Sequence, residues 1–211
     1  MRLGTQLFVL GLVTLGARAD AQPASADRVA RLVARGDAQR AYGDSISAVR
    51  TYRDAIAAGP RRGEGYVALG ALYRALDEPS RAREVYEAAR RAQVHSEPLV
   101  LAYADTLARM DAPLDALRVL RDQVRAEPDA LASLEALAAL AEARGAYVEA
   151  LAARRGALAV RTRQGEVELA EPRTRVRALE RLLGPAERVR AQLQCADPAT
   201  SDVLRALARC P

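Results

Sequence analysis

The strongest constraint on this chain is a 34-residue period. Ala48, Ala82, Ala116 and Ala150 follow one another at that spacing, as do Gly36, Gly70, Ala104 and Ala138. Leu32, Tyr66, Val100 and Leu134 form a third column. Tyr52, Tyr86 and Leu120 continue the pattern, and Pro60 and Pro128 stand two periods apart. Four copies in register, without an insertion, describe a repeat array. Each unit of such an array cannot bury its own apolar face and depends on its neighbours to do so. Every copy holds two helical segments, separated near Gly43, Asp77, Asp111 and Gly145. In "SRAREVYEAA", residues 80–89, the residues Ala82, Val85, Tyr86 and Ala89 recur at spacings of three and four, which places them on one helix face. Pro79 and Pro113 fall in the first turn of a second helix, where a missing N–H costs nothing. Two of the four facial residues are alanines, so another helix must approach closely. A larger side chain there would overpack at a cost of about 1–3 kcal/mol.

The second copy, "YVALGALYRALDEPSRAREVYEAA", resembles a tetratricopeptide repeat nearly throughout. Its small residues are Gly70, Ala82 and Ala89, and its larger apolar ones Tyr66, Leu69, Tyr73 and Tyr86. The resemblance implies an all-α fold, a right-handed solenoid of helical hairpins. It divides the chain into four repeats over residues 29–162, preceded by a short linker, 22–28, and followed by a helical capping segment, 163–211. Arg35 and Gln39 in the first copy and Arg154 in the last replace expected apolar residues. At the ends of an array no neighbour covers such positions, which is the expectation here. Gln123 stands where a small residue belongs, without explanation in the sequence. After Thr162 the period fails. "RTRQGEVELAEPRT" reads as a loop or a fraying helix end, and "RVRALERLLG" as a helix with Val176, Leu179, Leu182 and Leu183 on its apolar face. A further segment starts at Pro185 and a last short helix follows Asp197. This segment is expected to cap the open end of the fourth repeat.

The first residues, "MRLGTQLFVLGLVTLGARADAQ", read as a secretory signal peptide occupying residues 1–21. Arg2 is followed by an apolar stretch from Leu7 to Gly16, too short to span about 30 Å of hydrocarbon. Two Ala-x-Ala patterns then offer cleavage after Ala19 or Ala21. No Cys follows directly, which excludes a lipoprotein anchor. The mature chain is therefore expected in the periplasm or secreted, with no transmembrane segment. In an oxidising compartment Cys195 and Cys210 are most simply a structural disulfide. Closing that loop stabilises the fold by about 3 kcal/mol on the chain-entropy account.

The chain contains no Lys, so all 32 of its basic residues are Arg. Arginine favours phosphate contacts, but these arginines alternate with 27 acidic residues and form no long run, so no nucleic-acid partner is expected. Loss of Arg2, Arg18 and Asp20 on cleavage would take the formal charge from +5 to +4. Neither value argues strongly for an acidic partner. No Gly-rich phosphate loop and no Gly-x-Ser-x-Gly is present. The single His95, between the second and third repeats, is expected as a surface residue with nothing to orient it for catalysis. No enzyme activity, cofactor or metal is expected.

What the resemblance implies is a concave groove lined by the first helix of each repeat. Carried over residue by residue, the wall is Val33, Asp37 and Arg40; Val67, Ala71 and Arg74; Leu101, Asp105 and Arg109; and Glu135 and Glu142. Arg40, Arg74 and Arg109 should form a stripe along it, with Asp37 and Asp105 a turn away. Arg90 is expected on a second helix, off the groove. Members that bind chaperone C-termini hold the carboxylate with a Lys/Asn/Arg clamp. Here Val33, Asp37, Ala68, Pro98 and Ala102 replace it, so that specificity is not implied. The groove instead suits an extended or helical segment of another exported or envelope protein, making the chain a non-enzymatic scaffold. The alternative is a structural module that stacks on itself or pads an envelope complex.

Overall fold

The computed structural model describes residues 21–183, and all regular structure among them is α-helix. The proposed signal peptide up to residue 20, the Cys195–Cys210 pair and the later part of the capping segment lie outside the described residues. Four helical hairpins follow one another: α1 (Ala21–Ala41) with α2 (Ser45–Ala58), α3 (Gly63–Ala75) with α4 (Pro79–Arg91), α5 (Glu97–Arg109) with α6 (Pro113–Ala126), and α7 (Leu131–Ala143) with α8 (Tyr147–Arg163). A ninth helix, α9 (Ala170–Leu182), packs on α8.

The turn inside every hairpin is the same device. Gly43, Asp77, Asp111 and Gly145 adopt positive φ, between 57° and 81°. The next residue's N–H then reaches back to a carbonyl five residues earlier. These bonds are Asp44 to Gln39 at 2.9 Å, Glu78 to Tyr73 at 2.8 Å, Ala112 to Leu107 at 2.9 Å and Ala146 to Ala141 at 2.9 Å. This left-handed cap satisfies carbonyls that the helix end would otherwise strand, and it turns the chain back on itself. Glycine takes the conformation freely, and aspartate tolerates it through its short polar side chain. Pro79 and Pro113 open α4 and α6, as the spacing requires.

The small-residue columns lie where helices cross. Ala48, Ala82, Ala116 and Ala150 are fully buried, as are Tyr52 and Tyr86. A Cβ added at Gly36 would overlap the Tyr52 ring, and one at Gly70 the Tyr86 ring. Close approach is thus what the alanines and glycines permit. Successive first helices pack on one another, α1 on α3, α3 on α5 and α5 on α7, whereas successive second helices do not share such contacts. That inequality bends the stack, leaving the first helices on its inner wall.

Four expectations need correction. Residues 22–28 are not a linker but part of α1, because nothing in the stretch stops a helix and Pro23 falls in the first turn. The loop after α8 ends at Leu169, so Pro172 too sits in the first turn of a helix that begins earlier than expected. On α9, Val176, Leu179 and Leu183 are buried as expected, but Leu182 is 57% exposed. Arg154 is not an uncovered end residue: its side chain is 12% exposed and its Nε donates to Glu142 at 2.7 Å, pairing α8 with α7. Gln39 is also engaged, accepting from the Thr51 hydroxyl at 2.7 Å.

Candidate protein-binding groove

All eleven residues expected to line the groove fall on first helices: Val33, Asp37 and Arg40 on α1, Val67, Ala71 and Arg74 on α3, Leu101, Asp105 and Arg109 on α5, and Glu135 and Glu142 on α7. Five of them, Val33, Asp37, Arg40, Val67 and Ala71, line one open cavity of about 730 Å³ between the first two hairpins and the start of the third. Its floor is apolar, completed by Ala68 and Pro98. Its rim carries Arg40, Arg61 and Arg62 against Asp37 and Glu64.

Most of the groove charges already have partners. Asp37 accepts from the Tyr52 hydroxyl at 2.7 Å and lies 3.9 Å from Arg40. Burial of the Tyr52 phenol, reinforced by the hydrogen bond and charge of Asp37, pushes its pKa far up, so it donates at any ordinary pH. Asp105 bridges Arg74, from the preceding repeat, and Arg109, 3.5 Å away on its own helix. Two arginines of the expected stripe, Arg74 and Arg109, thus meet at Asp105 as an Arg–Asp–Arg arrangement, and Arg40 pairs separately with Asp37. Glu64 sits below the usual carboxylate range. Burial opposes this, but its backbone hydrogen bond and the Arg62 guanidinium at 2.7 Å outweigh that cost.

The far end differs. Glu135 is held by Arg161 of α8, which also grips Glu166 at 2.6 Å, and Glu142 is held by Arg154. These two acids close the wall of the last hairpin upon itself. The open cavity lies at the other end of the wall, against the first two hairpins.

Arg61 and Arg62 were not among the residues expected from the sequence. They lie in the turn between hairpins, outside the helical pattern that identifies groove positions, and their only sequence signal is adjacency to Pro60 at the repeat boundary. The Nε of Arg62, like that of Arg74, is buried with no hydrogen-bond partner among the described residues. No group of three or more His, Cys, Asp or Glu side chains among the described residues is placed to hold a metal ion. No described helix is long and apolar enough to cross a membrane.

No protein-family model matches the sequence, and no curated protein does. Solved structures do match. MamA is 16% identical, with 81% of this chain and 95% of MamA aligned at a TM-score of 0.53. PilF of Pseudomonas aeruginosa is 14% identical, with 86% and 90% aligned at 0.51. YrrB, described as a TPR protein with an unusual peptide-binding site, is 15% identical, with 84% and 100% aligned at 0.47. MamA and PilF are tetratricopeptide-repeat proteins, and nine described helices in hairpin order match theirs. The chain has the fold of a tetratricopeptide-repeat solenoid.

Proposed function

We propose that the chain is a non-enzymatic protein–protein interaction scaffold of the bacterial cell envelope, holding a segment of another exported protein in the concave groove. One observation carries this reading: the cavity between the first hairpins pairs an apolar floor with an arginine rim. Apolar side chains of a docked segment would bury against Val33, Val67 and Ala71, while its carboxylates or carbonyls would accept from Arg40, Arg61 and Arg62. The N-terminal stretch with its Ala-x-Ala sites supports export.

The test compares partner recovery after mild crosslinking of envelope fractions. Val67→Asp places a charge in the apolar floor, and Arg40→Ala removes a rim donor. A charge-assisted hydrogen bond contributes about 1.5–3 kcal/mol, so either change should lower recovery roughly ten-fold or more. Arg50→Ala, on the exposed face of α2, should leave recovery and melting unchanged. Equal recovery by all three variants, or recovery of this chain alone, would overturn the reading.

A further inference from the structure

A second cleft lies on the outer side of the solenoid, between hairpins two and three. Helix α5 packs on both α4 and α6, but α4 and α6 leave a furrow between them. Two adjoining cavities fill it, of about 500 Å³ and 260 Å³, sharing Arg90, Gln93, Tyr103 and Val119 as walls and floor. None of these residues belongs to the concave groove.

The polar groups of this cleft are unbalanced in one direction. Its carboxylates are each matched to an arginine of the same helix: Glu87 to Arg83 at 2.7 Å, Asp115 to Arg118 at 2.8 Å and Asp122 to Arg125 at 2.9 Å. Arg90 and Arg91 have no carboxylate within ion-pair distance among the described residues. Arg90 instead lies with its Cζ 5.8 Å from the Tyr103 ring centroid, a stacked position that leaves the edge of the guanidinium free. Deeper in, Gln123 is only 7% exposed and its Nε2 has no hydrogen-bond partner among the described residues. This residue replaces the small side chain of the other repeats, and it lines the smaller cavity beside Leu99 and Val100. The hydroxyl of Tyr86, which lines the same cavity, also lacks a partner among the described residues, so what remains unmet above an apolar pocket is a set of groups that can all donate.

We infer that this outer cleft is a second docking site, which takes a short acidic–apolar segment of a partner protein independently of the concave groove. A carboxylate of the segment pairs with Arg90 and Arg91, a carbonyl oxygen accepts from the Gln123 amide, and an apolar side chain enters the smaller cavity. Charge complementarity selects this occupant, since every unpartnered polar group named can donate, the two charged ones are both arginines, and an arginine-rich or neutral segment would leave those charges unpaired.

His95, exposed in the loop after α4, lines the smaller cavity and is the only histidine in the chain, so its ring gives a single resolvable NMR signal in tag-free protein. The probes are acetyl-Leu-Glu-Glu-Leu-amide and its neutral counterpart acetyl-Leu-Gln-Gln-Leu-amide. The acidic peptide should shift the His95 ring and Gln123 side-chain amide signals saturably, and the neutral one should bind about ten-fold more weakly. Arg90→Gln should weaken the acidic peptide by a similar factor with an unchanged circular dichroism spectrum. Gln123→Ala, which retains the arginines, should weaken both peptides. The inference is overturned if the two peptides bind alike, if Arg90→Gln binds as the parent does, if inorganic phosphate produces the same shifts, or if the acidic peptide perturbs only Val67 and Ala71.

Discussion

Gly36 and Gly70 each face a buried tyrosine hydroxyphenyl group, Tyr52 and Tyr86, with no room for a Cβ between them. In the third and fourth repeats the glycine becomes Ala104 or Ala138, and the facing residue becomes Leu120 or Arg154. The chain thus contains its own substitution series: glycine wherever the partner is tyrosine, alanine wherever it is not. Gly70→Ala would gain about 1 kcal/mol of helix propensity. The ring it strikes is fully buried and cannot swing aside, so overpacking at about 1–3 kcal/mol should win. Tyr86→Leu alone leaves space beside Gly70 and should also destabilise. Together, Gly70→Ala and Tyr86→Leu rebuild the arrangement of the third repeat, so the double variant should be more stable than the sum of the single losses. Urea denaturation of the four proteins measures the coupling directly. Additive losses would show that the close approach at Gly70 is not what limits side-chain size there.

At the scale of the element, hairpin geometry was legible because its parts recur: small residues at the crossing, and Gly or Asp at the turn. The sequence marked Gly43, Asp77, Asp111 and Gly145 as boundaries, and each is the left-handed residue of a helix cap. Asp77→Val places a β-branched side chain at φ 58° and should cost about 1–2 kcal/mol. Asp77→Gly, which copies the first and fourth repeats, should be neutral or slightly stabilising. Thermal melting separates the two, and equal melting temperatures would remove backbone strain from the account. Less legible were the helix starts of α1 and α9. Pro23 and Pro172 look like breakers in a linear reading, yet a proline in the first turn is compatible with the helix. Arg154 was misread for a related reason. Its carboxylate partner, Glu142, lies across the hairpin, and a pattern of apolar positions carries no information about ion pairs between helices.

For the whole molecule, curvature follows from packing first helices on first helices while second helices stay apart. The residues of the wall could be listed one by one from the repeat; all eleven fall on first helices, and five of them line the groove cavity. Which of them are already held in ion pairs could not be listed, because that depends on long arginine side chains reaching between helices, as Arg161 does to Glu135. The same limitation hid Arg61 and Arg62, which reach the groove from a turn. The outer cleft had no sequence signal beyond Gln123 breaking its column. The groove cavity depends on the stacking of the first and second hairpins and the outer cleft on that of the second and third, so neither can be studied on an isolated repeat.

The central claim is that the inner wall contacts another protein in the chain's own host. A photo-crosslinking residue installed at Val67, in the groove floor, and separately at Arg50, on the exposed face of α2, tests it most directly. The account predicts an adduct with a second, distinct protein from Val67 and none of it from Arg50. Adducts from Arg50 but not Val67, or adducts from Val67 that contain only another copy of this chain, would contradict it.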